Sequence, residues 1–599
     1  MGVHDIIDII KIFRADRISI DRISIVVIII DKIIPKSQFA CRNDVNISDE
    51  LVDLRNINLF LIGEKENKDG SILSIDYKNA FRTISLKWFN HVMRRLNFPD
   101  KFYRWFWNLY SSLGIKININ NYSSNLIKNE RGFMEGHPPS MFCFVISIIP
   151  LSNVLEKKLL GIEIGNEVFK LRGFADDLKL ILRNANEIFQ IEKIIFDFEK
   201  VSGTQLHRDT SLKKCNILCF GNHRKFKDWP FWVNETDKMK VIGALLMNDS
   251  KENLEKENSL MVKNKFTTKI YENWGLKGTI LQKVYFVNTF CMSRLTYLSH
   301  AFKIDDKVLN EILKIALKFI YAGLNERPMQ LVNFRNKKHG RLGLVHPQTK
   351  NKSLLIKTMM KEVATKKIGF INGEFSEKVY GYVKDCFRFL ERGFVNISAK
   401  EIYHEIVFDL IAKSSILVPS RCEINMSSIS WPKTFLNFSN LKYVTAREKE
   451  FSFMLIQDIL PVPGRLHRIN SIKTCRRIIG KKVCLYFADR EHFFIYCEKM
   501  KSTFNDIKRF ISFLIGYSIK ELDILHLSFS VGNKSFQKLI VWLLVKILYK
   551  IYSEQIYEFE ILMRGVSKEL DWYRSLKIRL FESKYCDKVK NCLNKLGVG

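Results

Sequence analysis

The chain has 599 residues, of which 47% are hydrophobic and 12% aromatic, so it is folded and too long for a single core. Its 96 lysines and arginines exceed its 63 acidic residues, giving a formal net charge of +33. This excess follows the whole chain, so nucleic acid is the first expected partner and a membrane surface the second.

The apolar segments do not predict a membrane protein. The run at residues 24–30 is too short to span a bilayer, and the run at residues 539–552 contains Lys546 and Lys550. Acidic residues near the N-terminus argue against a signal peptide, and the scattered cysteines are typical of a reducing compartment. We therefore expect an intracellular protein without a membrane partner, and a core helix at residues 536–562.

The first half of the chain alternates between predicted strands and helices. Residues 1–35 predict only marginal structure, whereas SILSID has the apolar run of a buried strand and ends at Asp76. Two amphipathic helices separated at Pro99 then precede a loop with glycines and prolines at residues 131–140 and a long apolar helix. This order predicts an α+β fold with helices on one face of a sheet.

The segment LRGFADDLKLIL predicts a β-hairpin whose tight turn carries Asp176 and Asp177. A solvated turn is the ordinary interpretation of two adjacent aspartates. Asp76 changes this interpretation, because a third carboxylate at a strand end beside the hairpin forms a site for two divalent cations. Such ions clamp the attacking and leaving oxygens of a phosphoryl transfer.

Five segments in chain order resemble the palm motifs of reverse transcriptases, in particular those of non-LTR (LINE-type) retrotransposons. They are SIDYKNAF, RGFMEGHPPS, FADD, SGTQLHRD with the lysine pair that follows it, and VIGALL. KSQFACR at residues 36–42 resembles the fingers motif, and FCMSRLTYLSHAF resembles the thumb helix. The resemblance implies a polymerase right hand of fingers, palm and thumb, with an antiparallel palm sheet and a mainly helical C-terminal region.

The resemblance and the composition together predict six parts of the chain. They are a ragged N-terminal segment (1–35), the fingers and palm (36–250), the thumb and connector (251–345), a helical linker region (346–460), a zinc-binding segment (461–500) and a helical C-terminal region (501–599).

The resemblance also implies a role for each motif residue. Asp76, Asp176 and Asp177 would be catalytic and hold two Mg²⁺ ions, with Mn²⁺ as a substitute. The residues that would contact the deoxynucleoside triphosphate are Tyr77 through its carbonyl, Phe81 as the aromatic gate against a 2′-hydroxyl, Gly136, Arg42 from the fingers, and Lys213 or its neighbour Lys214 at the leaving pyrophosphate. A solvated basic turn is the alternative for the two lysines.

Four residues near the C-terminus resemble the CCHC zinc-binding region found at the end of many such elements: Cys475, Cys484, His492 and Cys497. The His-x4-Cys spacing is typical of zinc ligands, whereas the first two cysteines are separated by eight residues rather than the usual two. Core cysteines beside a surface histidine are the alternative interpretation.

The function implied by the resemblance is RNA-directed DNA polymerisation by nucleotidyl transfer. Its partners would be an RNA template, a DNA primer or target DNA, and deoxynucleoside triphosphates, and its location the nucleus. Glu135 stands where the family usually has glutamine, and Arg82 stands where an aspartate is common. A truncated or degenerate copy, acting as a catalytically inactive nucleic-acid-binding protein, is therefore the alternative. An RNA polymerase shares the acid geometry, but Phe81 disfavours ribonucleotides.

Overall fold

The structure is a computed structural model, and it describes residues 33–598 with several gaps. The gaps are residues 43–44, 64–67, 112–113, 121, 129–130, 135, 138, 166, 323–333, 335–341, 366–397, 413–433, 435–436, 439–440, 442, 458, 463–473, 476, 480–481, 577 and 579–580. Glu135 and nearly all of the predicted N-terminal segment therefore lie outside the described residues.

The elements up to residue 247 mix helix and strand. The helices are α1 (Ile47–Ile62), α2 (Ala80–Thr83), α3 (Leu86–Arg95), α4 (Asp100–Ser111), α5 (Ser140–Lys158) and α6 (Glu187–Ser202). The strands are β1 (Gly70–Ile75), β2 (Gly114–Ile115), β3 (Asn118–Ile119), β4 (Tyr122–Ser123), β5 (Ile127–Lys128), β6 (Ile162–Ile164), β7 (Glu167–Phe169), β8 (Leu171–Phe174), β9 (Asp177–Leu182), β10 (Asn216–Phe220), β11 (Asn234–Glu235), β12 (Lys238–Val241) and β13 (Ala244–Met247).

The elements after residue 250 are mainly helical. They are α7 (Lys251–Glu272), α8 (Ile280–Phe286), α9 (Met292–Leu298), α10 (Asp306–Ile320), α11 (Pro347–Thr365), α12 (Ala399–Ala412), α13 (Ala446–Ile456), β14 (Ile478–Ile479), β15 (Lys482–Val483), α14 (Glu498–Ile515), α15 (Glu521–Leu525), α16 (Lys534–Glu554), α17 (Phe559–Ser575) and α18 (Ser583–Lys595). The predicted helical C-terminal region is confirmed.

The chain forms two compact units that interleave along the sequence. The first unit takes its described residues from Met1–Val262, Thr296–Asp305 and Leu354–Ala399, and the second from Lys263–Leu295, Asp306–Ser353 and Lys400–Gly599. Each of the six parts predicted from the sequence is one contiguous stretch, whereas each unit combines three stretches of chain. The six parts therefore stay predictions.

A five-stranded sheet in the order β11-β10-β1-β9-β8 lies at the centre of the first unit. Strand β1 pairs antiparallel with both β10 and β9, and β8 pairs antiparallel with β9, whereas the edge strand β11 runs parallel to β10. The predicted α+β fold with an antiparallel sheet is therefore confirmed, apart from this parallel edge pair.

The two faces of the sheet bury different side chains, because successive residues of a strand point to opposite faces. One face carries Leu73 and Leu180, which belong to the large apolar core that includes residues of α5 and α6. The opposite face carries Arg172 and Lys179, which are directly opposite each other on β8 and β9. Helix α1 covers this charged face, and its Asp53 accepts a 2.9 Å hydrogen bond from Arg172. The prediction of helices on one face of the sheet is therefore wrong, because the buried charges of β8 and β9 require a helix with a counter-charge on the second face.

Helix α5 is long and apolar enough to cross a membrane, judged by length and composition over the described part of the chain. About two thirds of its apolar window, 67%, is buried inside the protein. Phe144 and Ile148 of this helix belong to the apolar core of the first unit. Burial in that core accounts for the composition of the helix.

Helix α16 contains the second apolar run of the sequence and is a core helix, as predicted. It ends at Glu554, because Gln555 adopts a left-handed conformation, and the last residues of the predicted segment belong to α17. Lys546 of α16 is 5% exposed. The ammonium lies 2.8 Å from Glu448 Oε1 on α13 and 2.6 Å from Glu569 Oε2 on α17. The charge inside this apolar helix is therefore balanced by two carboxylates within the second unit.

Candidate active site and candidate metal centre

The three aspartates predicted as catalytic lie at the same end of two paired strands. Asp76 directly follows β1, and Asp176 lies in the two-residue turn between β8 and β9, where Phe174 pairs with Asp177. Ile75 pairs with Leu178, so Asp76 and Asp177 stand opposite each other one residue further on. The predicted hairpin is confirmed, and it brings all three carboxylates to one edge of the sheet.

The electrostatics of this edge favour a cation. Burial raises the pKa of Asp176, and the neighbouring carboxylates of Asp177 and Asp76 raise it further. A divalent ion relieves such repulsion, and carboxylate oxygens are the ligands that Mg²⁺ and Mn²⁺ prefer. The donor set therefore fits divalent ions of this class.

The segment after α6 runs back along Asp76 and brings two basic side chains to it. The amide of Lys78 donates to the carbonyl of Gln205 at 2.7 Å, and the amide of His207 donates to the carbonyl of Asp76 at 2.9 Å. As a result, His207 Nε2 lies 4.0 Å and Lys214 Nζ lies 3.9 Å from Asp76 Oδ2. Sequence reasoning gave His207 no role, although it is part of the SGTQLHRD motif.

Of the two lysines predicted at the pyrophosphate, Lys214 is the one whose ammonium lies beside Asp76. Lys213 adopts a left-handed backbone conformation, with φ of 45°. Its carbonyl accepts a 3.0 Å hydrogen bond from the side chain of Asn216, two residues after Lys214. The turn at Lys213 therefore precedes the residue that reaches the acids.

The fingers segment contacts the aspartate turn directly. The side-chain oxygen of Gln38 accepts a hydrogen bond from the amide of Ala175 at 2.9 Å, and its amide nitrogen donates to the carbonyl of Ala175 at 3.2 Å. Ala175 needs this support, because it has φ of 56°, which is unfavourable for a residue with a side chain. The sequence predicted no role for Gln38. The one indication of a role was that a polar residue stands within the KSQFACR motif. Arg42 instead donates to the carbonyl of Lys36 at 3.1 Å.

The predicted gate, Phe81, lies on α2 and is half-buried. Its ring stacks on Phe144 of α5, with ring centroids 4.6 Å apart and an interplanar angle of 25°. Its carbonyl accepts a hydrogen bond of 2.7 Å from the amide of Phe133, which ties the glycine loop to α2. Tyr77, also predicted at the triphosphate, is buried and bridges to Leu206.

The backbone requires glycine at Gly132 for a different reason than at Gly136. A Cβ atom on Gly132 would lie 2.5 Å from the Cα atom of Arg82, so this close approach to α2 requires glycine. Gly136 has φ of 81°, and a Cβ atom there would meet nothing within 4 Å. Open space therefore remains at Gly136, as a ligand-binding role requires.

A groove of about 570 Å³ adjoins the segment that runs along Asp76. Its lining includes the cationic side chains of Lys78, Arg131, Lys200 and Arg208. Arg208 is held by Glu199, with Nη2 2.6 Å from Oε2. The excess of positive charge suits a phosphate-bearing ligand.

The four residues predicted as zinc ligands meet in the second unit. One ligand atom from each of Cys475, Cys484, His492 and Cys497 lies within 4.8 Å of the others, and all four residues are buried. The eight residues between the first two cysteines contain the β14–β15 hairpin, so the long spacing still delivers both sulfurs. His492 begins a π-helical turn that ends before Cys497. Because His492 is buried, the alternative of a surface histidine is wrong.

The distances in this cluster fit a tetrahedral metal, whereas the pKa values of two of its thiols shift in opposite directions, with burial raising the pKa of Cys475 to about 11. The Sγ atoms of Cys475 and Cys497 are 3.8 Å apart, and Cys484 Sγ lies 3.3 Å from His492 Nε2. With Zn–S bonds of about 2.3 Å, sulfurs of a tetrahedral site lie about 3.8 Å apart. Burial alone would raise the pKa of Cys497, but the hydrogen bonds from Arg477 and from the amide of Lys499 lower it overall. Burial also lowers the pKa of His492, which favours the neutral, metal-binding imidazole.

Comparisons with known proteins find similarity over parts of the chain. Residues 15–246 match the family described as reverse transcriptase (RNA-dependent DNA polymerase). The Retrovirus-related Pol polyprotein from type-2 retrotransposable element R2DM of Drosophila melanogaster is 26% identical over 156 residues, which cover 24% of this chain and 15% of that relative. Telomerase from Candida albicans, solved with a fragment of telomeric RNA, aligns with a TM-score of 0.30 and 12% identity over 50% of this chain and 54% of its own.

The family match contains all three aspartates and the strands that carry them. Reverse transcriptases use divalent metal ions and copy an RNA template. The relative from Drosophila melanogaster is named for a type-2 retrotransposable element, and the aligned residues cover 15% of its length. Residues 15–246 therefore match the reverse transcriptase family, and 156 residues of the chain are similar to the Pol polyprotein of a retrotransposable element.

Proposed function

We propose that the chain is an RNA-directed DNA polymerase that extends a DNA primer along an RNA template with deoxynucleoside triphosphates. The observation that supports this function is the meeting of Asp76, Asp176 and Asp177 at one edge of the antiparallel sheet, inside the matched region. Lys214 beside Asp76 adds a cation where a triphosphate would meet the carboxylates.

Each residue of the site has a role in this reaction. Asp76 and Asp176 would be the main ligands of two Mg²⁺ ions, or of Mn²⁺, with Asp177 nearby and the carbonyl of Tyr77 completing the set. When bound, such ions activate the attacking 3′-hydroxyl and stabilise the leaving pyrophosphate. Lys214 would neutralise charge that develops on the pyrophosphate, with a proton donated from its ammonium.

The nucleotide itself would be positioned by groups around the acids. The exposed part of the Phe81 ring would lie against the deoxyribose, and the open space at Gly136 would admit the nucleotide beside the template. Gln38 holds the turn that carries Asp176, so it acts through that residue rather than on the substrate.

Primer extension tests this function. We expect full-length protein to incorporate dTTP on poly(rA)/oligo(dT) in Mg²⁺ or Mn²⁺, and Asp176→Asn to abolish incorporation. Asp197→Asn, which removes an exposed carboxylate on α6, is the matched control and should retain activity. Binding of primer–template without incorporation in either ion would instead identify an inactive nucleic-acid-binding protein.

We also propose that Cys475, Cys484, His492 and Cys497 bind one structural zinc ion. The support is the 3.8 Å separation of two sulfurs and the burial of all four side chains. We expect one zinc per chain by elemental analysis of wild-type protein and of Cys592→Ser, a cysteine outside the cluster. Cys484→Ser should lose the zinc and melt at a lower temperature. Wild-type protein that remains zinc-free after reconstitution would contradict the proposal.

A further inference from the structure

Lys179 is a buried cation within the candidate active site. It lies on β9 two residues after Asp177, so both side chains are on the same face of the sheet. The side chain of Lys179 is 0% exposed, and its ammonium pairs with Asp177 Oδ1. A buried ammonium needs a counter-charge, because moving an unpaired charge out of water is costly. The pair with Asp177 therefore balances the charge of this buried ammonium.

The other acids around Lys179 do not replace Asp177 as its counter-charge. Asp53 of α1 is engaged by Arg172, at 2.9 Å. Glu50 of α1 is fully buried, and neither of its carboxyl oxygens has a hydrogen-bond partner within the described part of the chain. Burial raises the pKa of Glu50 to about 8, which favours the neutral form of this carboxyl. Asp177 is therefore the carboxylate that pairs with the ammonium of Lys179.

Lys214, the other lysine at the acids, is in a different situation. Its side chain is 50% exposed, so it can move aside in water when a cation binds Asp76. Lys179 has no such freedom, because the sheet and α1 enclose it. The pair between Lys179 and Asp177 therefore competes with metal binding at Asp177 but not at Asp76 or Asp176.

We propose that Lys179 is a positioning residue that withholds the Asp177 carboxylate from the divalent ions, so that these ions bind through Asp76 and Asp176. This inference rests on the proposed polymerase function, since it concerns the same carboxylates. It reduces the negative charge available to the ions from three carboxylates to two.

Binding of Mn²⁺ to the substrate-free, full-length protein tests the inference without any need for turnover. The loss of the free Mn²⁺ signal in electron paramagnetic resonance gives the affinity of each variant. We expect Asp76→Asn to weaken Mn²⁺ binding about tenfold or more and Asp177→Asn to change it less than about twofold. In a Lys179→Met background, where Asp177 is released, adding Asp177→Asn should weaken binding about fivefold.

The outcomes separate this inference from the proposed function. Equal losses for Asp177→Asn and Asp76→Asn in the otherwise wild-type protein would make Asp177 an ordinary ligand and overturn the inference, while the proposed function would stand. Unchanged binding in Asp76→Asn would overturn both. If circular dichroism shows that Lys179→Met does not fold, the comparison of Asp177→Asn with Asp76→Asn still decides whether Asp177 is an ordinary metal ligand.

Discussion

Phe81 is a single ring whose fixed position can decide which sugar the site accepts. Its contact with Phe144, at 4.6 Å between ring centroids, holds one face of the ring against α5. The remaining part is exposed on the short helix that follows Asp76. This stacking restrains the rotation by which the ring would make room for an additional hydroxyl group.

We expect Phe81→Ala to admit ribonucleotides, because the truncated side chain leaves space for a 2′-hydroxyl. The preference for dTTP over UTP, measured as the ratio of their kcat/KM values, should fall about tenfold or more. Phe189→Ala, which removes an exposed ring on α6, is the control. An unchanged preference in Phe81→Ala would show that Phe81 is not the gate.

Glu50 makes the stability of the first unit depend on pH. Burial raises its pKa to about 8 in the folded protein, from an ordinary value near 4.5 in the unfolded chain. The folded state therefore binds more protons between these values, so the contribution of Glu50 to the free energy of unfolding falls as the pH rises from 4.5 to 8. Above pH 8 the loss is complete.

We expect Glu50→Gln to raise the free energy of unfolding at pH 8 by on the order of 4 kcal/mol and to change it little at pH 4.5. Urea unfolding at the two pH values measures this difference. Glu163→Gln, an exposed carboxyl on β6, should be neutral at both. An equal effect of Glu50→Gln at both pH values would contradict the burial argument.

The residues of the site differ in how far the sequence could predict them. Asp76, Asp176 and Asp177 follow from local patterns, because each lies beside an apolar strand or within a turn. Gln38 could not be found in this way, since its partner Ala175 is 137 positions away and the bonds go to backbone atoms. In the sequence, Lys179 is one polar residue in an apolar strand. The structure shows that its partner is Asp177, two residues earlier on the same face of the strand.

At the scale of elements, α16 shows how an apolar helix of the second unit accommodates a charge. Lys546 joins three helices, because its ammonium contacts Glu448 on α13 and Glu569 on α17. The sequence correctly predicted a core helix here but gave no sign of the two partners. Likewise, the sequence indicated the four candidate zinc ligands but not the β14–β15 hairpin. This hairpin brings Cys475 and Cys484 together across the eight residues between them.

We expect Lys546→Met to lower the free energy of unfolding by about 3–5 kcal/mol, because two carboxylates lose their buried partner. Thermal or urea unfolding of the full chain measures the loss. Lys534→Met, an exposed lysine at the start of the same helix, is the control. Wild-type stability in Lys546→Met would mean that Glu448 and Glu569 are satisfied without the ammonium.

At the scale of the whole molecule, the net charge of +33 should govern the affinity for nucleic acid. If the protein contacts six or more phosphates, its affinity for an RNA–DNA duplex should fall about 10³-fold between 50 and 200 mM salt. Fluorescence anisotropy with a labelled duplex measures this dependence. An affinity independent of salt would contradict an electrostatic mode of binding.

The net charge was evident from composition, whereas the interleaving of the two units was not, because it depends on contacts between distant segments.

Arg55, buried on α1, determines when the first unit can be completed during synthesis. Its guanidinium donates to the carbonyl of Ala301 at 2.6 Å and lies 4.0 Å from Glu362, whose carboxylate also accepts from Asn56. These partners follow Arg55 by as much as roughly 300 residues, which a ribosome adds in roughly 15–60 s. Until they emerge, the guanidinium lacks the contacts with Ala301 and Glu362 that the folded unit provides. We therefore expect the first unit to be completed only after the ribosome has added chain that lies far beyond the last sequence motif of this unit.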